Sequence, residues 1–235
     1  MRLPALVLTG MLWAGTALAW PYENYRVPDS FDGYRVAETV PLKGGKVELL
    51  LDARITPANA EQVRAILLGR PASDTALQDS LDREDPRWAV VRLTPKSGEV
   101  RHVVLDHALA GIRRADIQGD GNPQVEVTID YLEGYRGRLT LFMQQTAEGL
   151  RPIEYIDAGG GYSVQIELMD SPKGWWRRLP SGKGEEFLAV DARFDRGTDL
   201  MRIAWDGKRW VRTMTVVPNG SVDGAKAFPP REAFP

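Results

Sequence analysis

The chain has 235 residues, with 30 lysines and arginines against 32 aspartates and glutamates, two histidines and no cysteine. The arginines are spread along the chain rather than gathered in one run, so the electrostatic footprint of a nucleic-acid binder is missing. Thiol chemistry is excluded, and a histidine-rich metal site has only His102 and His107 to draw on; stability has to come from an apolar core, for which the length suffices.

The first residues carry one basic side chain, Arg2, and then an apolar run from Leu3 to Leu18 that closes on Ala17-Leu18-Ala19, a small-x-small cleavage pattern. Residues 1–19 are expected to be a secretory signal peptide. A retained membrane span needs roughly 20 apolar residues, whereas Pro4, Gly10 and Gly15 interrupt this shorter run and Trp20-Pro21 follow it. The expected location is periplasmic or secreted, with no membrane anchor after cleavage and no lipid anchor, because no cysteine follows the cut. Residues 20–217 are expected to form one β-rich domain with a helical insertion near 57–82, and 218–235 a flexible tail rich in Pro, Gly and Ala.

Within that domain, Trp20 to Asp32 reads as an extended lead-in. Tyr34 to Val40 and Lys46 to Ala53 read as strands joined by a hairpin-type connection over Pro41 to Gly45. Thr56-Pro57 predicts a helix start, with Ala60, Val63, Ile66 and Leu67 on one face and Gly69 as the stop. A second helix is predicted over Asp74 to Asp82, capped by Ser73, with Leu77 and Leu81 four apart. From Trp88 onward the chain reads as strands: Trp88 to Thr94, Val100 to Asp106, Leu139 to Gln145, Ile153 to Asp157, Ser163 to Met169, Phe187 to Val190, Leu200 to Trp205 and Arg209 to Val217. The clearest lies between them, where Val125, Val127, Ile129 and Tyr131 alternate with Glu126, Thr128 and Asp130, implying one buried face. The expected fold is mainly β: antiparallel sheets in a sandwich or partial propeller.

Ahead of that strand runs Asp116-Ile117-Gln118-Gly119-Asp120-Gly121-Asn122-Pro123-Gln124. Oxygen side chains at alternate positions, with glycines that let the backbone curl, suit a hard cation such as calcium. The same residues are also ordinary turn makers, and Asp116 could accept backbone N–H bonds without any ion. The segment resembles the FG-GAP and VCBS repeats, integrin-like blades whose Asp-x-Asn/Asp-Gly-Asp-Gly-x-x-Asp loop binds calcium between strands. The resemblance implies calcium ligands at Asp116, Gln118 and Asp120, with Asn122 offering its backbone carbonyl. At the closing position, Gln124 stands in place of the family's carboxylate, so the site holds two formal negative charges and binding is expected to be weak. A degenerate echo runs from Asp191 through Asp195 to Asp199, where Arg193 takes a ligand position and could replace the metal by pairing with carboxylates.

Two further segments suggest contacts with a partner. Ala158-Gly159-Gly160-Gly161-Tyr162 reads as a presented loop and, with Ala158 in place of serine, resembles the Ser-Gly-x-x-Tyr loop that periplasmic lysozyme inhibitors push into their target. Trp175-Trp176-Arg177-Arg178 sets two indoles and two guanidiniums close to turns, and such side chains are common interface anchors. Each also has a plain structural reading: Tyr162 packing at a sheet edge, and one tryptophan in the core with the other under an arginine stem. No Gly-x-Ser-x-Gly elbow or phosphate loop is present.

The resulting expectation is a non-enzymatic, calcium-stabilised exported protein that binds an envelope macromolecule. Its most concrete version is an inhibitor of a peptidoglycan hydrolase acting through Gly159, Gly160, Gly161, Tyr162, Trp175 and Trp176. The alternatives are a carboxylate-based carbohydrate hydrolase, which needs two carboxylates facing one cleft, and a purely structural envelope domain.

Overall fold

The computed structural model describes residues 25–131, 137–147, 149–158, 163–170, 174–181, 184–193 and 197–217. The expected signal peptide, the Gly159–Tyr162 loop and the stretch from Pro218 lie outside the described residues. The fold is mainly β; the described residues form two short helices and three sheets, none of them closed into a barrel.

The first sheet is a meander of β1 (Tyr34–Leu42), β2 (Gly45–Asp52), β3 (Val90–Pro95) and β4 (Arg101–Val104), each strand antiparallel to the next. The β1–β2 connection is tighter than the sequence predicts, because Leu42 already pairs with Gly45. A glycine is required there: a Cβ on Gly45 would come within 2.3 Å of the Thr94 carbonyl. Between β2 and β3 lie α1 (Ala60–Leu67) and α2 (Thr75–Arg83). The first starts later than Thr56-Pro57. Asn59, the residue at its N-terminus, instead uses its side chain to accept from the Thr56 N–H and donate to the Arg54 carbonyl. The second is capped by Asp74, not Ser73: the Asp74 carboxylate accepts from the Leu77 N–H at 3.0 Å.

The second sheet has the order β11 (Glu167–Asp170), β7 (Gly137–Thr146), β6 (Gln124–Tyr131), β5 (Ala110–Ala115), with β8 (Gly149–Pro152) also paired to β7. The third runs β10 (Val164–Gln165), β9 (Glu154–Asp157), β15 (Trp210–Val217), β14 (Gly197–Trp205), β13 (Gly184–Arg193), β12 (Gly174–Ser181). It is mixed rather than wholly antiparallel, because β9 and β15 run parallel. Ser163 to Met169, read as one strand in sequence, is split between two sheets; Ile166 lies between the two pieces and its N–H bonds the Ile153 carbonyl.

The middle sheet serves two cores. Val125, Val127 and Ile129 of β6, with Ile112, Leu139 and Leu141, pack against Val47, Leu49, Leu51 and Val91 of the first sheet and against Val63, Leu77 and Leu81 of the helices. Each such side chain contributes about 1.5–3 kcal/mol on burial, which is how this chain does without disulfides. On the opposite side, Phe142 and Leu168 meet Phe187, Ile203 and Trp210 of the third sheet, with the Phe142 and Phe187 rings stacked 4.9 Å apart. A smaller cluster, Leu50, Val90 and Val104, is covered by Tyr25 and Phe31 of the lead-in and by Tyr34 of β1.

Candidate functional site

The Asp116–Gln124 segment joins β5 to β6 as the connection of an antiparallel hairpin, with Ala115 and Gln124 as its last paired residues. Asp116 accepts the Asp120 and Gly121 N–H groups, one on each carboxylate oxygen, at 3.2 and 3.1 Å. Asp120 takes the Asn122 backbone N–H at 2.8 Å and the Asn122 side-chain amide at 3.0 Å. That side-chain bond, with the backbone one, holds the Asp120 carboxyl below its ordinary range. Gln124 is 3% exposed and uses both ends of its amide. Its oxygen accepts from the Ile117 N–H at 2.9 Å, while its nitrogen donates to Gln118 Oε1 at 3.2 Å and to the Asn122 carbonyl at 2.6 Å.

This donor set does not fit calcium as it stands. Two of the oxygens expected to face the cation, Gln118 Oε1 and the Asn122 carbonyl, converge on an N–H donor, and both carboxylates are engaged by amides of the loop itself. Among the described residues, no three histidine, aspartate or glutamate side chains come together as a metal-holding group. In the echo, Asp191 and Asp199 are register partners across β13 and β14, and Arg193 pairs with Gly197, so the gap between paired residues is three positions against eight in the first hairpin.

A wide opening lies elsewhere, on the polar face of β6. A cleft of about 730 Å³ is walled by Glu38 of β1, Arg113 of β5, Arg138 of β7, Asp170 of β11 and the Trp176 to Arg178 stretch of β12, over a floor of Gly111, Glu126, Thr128 and Thr140. Glu126 sits beside the backbone of its partner strand, directly opposite Arg113 in the β5–β6 register, and is 2% exposed. It pairs with Arg113 Nη2 at 2.8 Å and with Arg178 Nη2. The Arg178 guanidinium also lies 5.4 Å from the Phe142 ring centroid and 5.9 Å from that of Trp176, so it closes one end of the aromatic core while neutralising the glutamate. Glu38 accepts the Ile112 N–H at 2.7 Å. The absence of a side chain at Gly111 keeps the floor open: a Cβ there would stand 2.9 Å from the Thr128 hydroxyl.

Other buried or half-buried carboxylates follow the same rule of two cations each. Asp130, opposite Arg138, is held by Arg138 at 3.0 Å and by Arg64 of α1. Glu48, opposite Arg92, takes Arg92 at 3.0 Å and Lys46 at 2.7 Å. Burial pushes the Glu48 carboxyl up, but the bonds from Lys46 and Arg92 outweigh it and the net shift is downward. Asp52, fully buried, is bonded by Arg54 at 2.7 and 3.0 Å and by the Arg87 N–H at 3.0 Å. Burial again opposes ionisation, and Arg54 with the two backbone N–H bonds prevails, holding Asp52 at about 2.

Trp175 and Trp176 lie near the start of β12, paired with Val190 and Ala189. Trp176 points toward the second core, edge-on to Phe142 and Phe187, and alternation places Trp175 on the other face. His107 lies beyond the end of β4, its Nδ1 2.7 Å from Asp106 Oδ1. His102 stacks on Phe31, and burial, with Arg92 nearby, lowers its pKa. The cleft residues Glu38, Arg113, Thr128, Arg138 and Thr140 were not singled out in sequence. Among them only Thr128 carries a signal in the sequence, as part of the polar half of the β6 alternation.

No family model, curated protein or solved structure matches this chain.

Proposed function

We propose that this chain is an exported, non-enzymatic binding protein that recognises an envelope macromolecule, with the cleft over β6 as its recognition surface. The observation that carries this reading is the state of Glu126: a buried carboxylate whose two oxygens each hold a guanidinium is a poor proton acceptor and a good positioning device. Glu38 accepts one backbone N–H, from Ile112. The hydrolase alternative needs one carboxyl group to protonate a leaving oxygen and a second to attack or to activate water, and Glu126 is tied to arginine on both sides. Arg113, by contrast, is 63% exposed. It has five N–H donors on a planar fork suited to a partner's carboxylate or carbonyl oxygens.

The test is affinity capture from envelope extract, quantified for wild type and for Arg113→Gln. One or more proteins are expected to be retained by wild type and lost by the variant. Equal recovery by both proteins would remove the cleft from the account. The more specific form of the proposal, inhibition of a peptidoglycan hydrolase through Gly159–Tyr162, rests on the sequence resemblance. It is tested by titrating candidate hydrolases with wild type and Tyr162→Ala. Inhibition by wild type and at least about tenfold weaker inhibition by the variant are expected. No inhibition by wild type would remove that form while leaving the binding reading to the capture assay.

A further inference from the structure

We propose that the Gln124 carboxamide occupies the place of a cation in the Asp116–Gln124 loop, so that the hairpin, and any recognition built on it, is independent of calcium. Three contacts carry the inference. Gln124 is buried, its oxygen satisfies the N–H of buried Ile117, and its nitrogen draws Gln118 Oε1 and the Asn122 carbonyl onto one point. Two oxygens from different parts of a loop converge only on something positive, and an amide NH₂, with two donors and a partial positive charge, meets that need without a formal charge. The remaining oxygens are already engaged: each carboxylate oxygen of Asp116 and of Asp120 has its own N–H donor within the loop.

The identity of the ninth residue therefore decides whether the loop needs a metal. A glutamate at 124 retains an oxygen for the Ile117 N–H but turns its second oxygen toward Gln118 Oε1 and the Asn122 carbonyl. The Asn122 carbonyl, which can only accept, then faces a carboxylate oxygen with no donor between them, an arrangement that is unfavourable when dry and suited to a calcium ion. The same logic separates the amide's two ends: Gln124→Glu removes the donor and keeps the acceptor, and Gln124→Ala removes both.

Thermal melts of the mature wild-type protein, Gln124→Glu and Gln124→Ala, each with excess chelator and with 10 mM calcium (about 10⁻² M, above the range of weak extracellular sites), test the proposal. Wild type is expected to melt at the same temperature in both conditions. Both variants are expected to melt about 2–6 °C lower in chelator, the size of one lost buried hydrogen-bond set in a domain of this length. Calcium is expected to restore Gln124→Glu and leave Gln124→Ala unchanged. A wild type stabilised by calcium or destabilised by chelator would overturn the proposal, and so would a Gln124→Glu variant that melts like wild type without calcium or is not restored by it.

Discussion

Two buried carboxylates, Asp52 and Glu126, are built alike and face different surroundings. Each is almost or wholly inaccessible and each binds two arginines. Around Asp52 the guanidinium of Arg54 is used up within the fold: besides the carboxylate it donates to the carbonyls of Ser80, Glu84 and Asp85, tying the end of α2 to the end of β2. Around Glu126 one guanidinium, Arg178, covers an aromatic core, and the other, Arg113, stands largely in solvent at the mouth of a cleft. The lesson is that a buried ion pair does not by itself say whether it serves the fold or a site. What distinguishes them is where the remaining donors of the arginines go.

The largest effect that could break this comparison is at Asp52. Replacing it by alanine leaves Arg54 and Arg87 without their anion and is expected to cost about 3–5 kcal/mol in denaturant unfolding. Glu126→Gln keeps the size of the side chain but removes the charge that holds Arg178, and is expected to cost about 2–3 kcal/mol. Should Glu126→Gln prove harmless while Asp52→Ala is severe, the charge of Glu126 would not be what holds Arg178.

A smaller effect is read by pH. Because Asp52 is held at about 2 in the folded state, below its unfolded value near 3.8, it contributes stability that is present above about pH 4 and lost as pH falls through 2. The amount is about 2 kcal/mol for a shift of this size. Unfolding free energies measured between pH 5 and pH 2 should fall more steeply for wild type than for Asp52→Asn, which has no proton to gain. Parallel profiles would show that other carboxylates carry the acid sensitivity. The smallest expected effect on stability is at Arg113. Arg113→Gln removes an exposed partner of Glu126 while Arg178 remains, and should change stability by less than about 1 kcal/mol.

The difference between these regions also explains what could be read from sequence. Strand β6 was legible because Val125, Val127 and Ile129 alternate with polar residues, and α2 because Leu77 and Leu81 share a helical face. The alternation was misleading in one respect: Gln124 and Glu126, on the polar side, are as buried as the valines, because β12 and the hairpin loop cover that side. Strand β5 escaped notice since Ala-Gly-Ile-Arg-Arg-Ala has one large apolar residue, and it becomes a strand by pairing with β6. Strand β12 escaped for a related reason, its Trp-Trp-Arg-Arg core having no period of two. Gln124 could be read only as a departure from a ligand pattern, because its role lies in three partners reached through the folded loop. The cleft draws on strands far apart in the chain, and no local spacing announces it.

The central claim, that the Glu126 arrangement serves recognition and the Asp52 arrangement serves the fold, is tested most directly by two arginine variants measured side by side for melting temperature and for capture of envelope proteins. Arg54→Gln should melt well below wild type yet, at a temperature where it is folded, retain the same captured protein. Arg113→Gln should melt within about 2 °C of wild type and lose it. An Arg113→Gln protein that captures the same partner as wild type, or an Arg54→Gln protein that melts like wild type, would contradict the account.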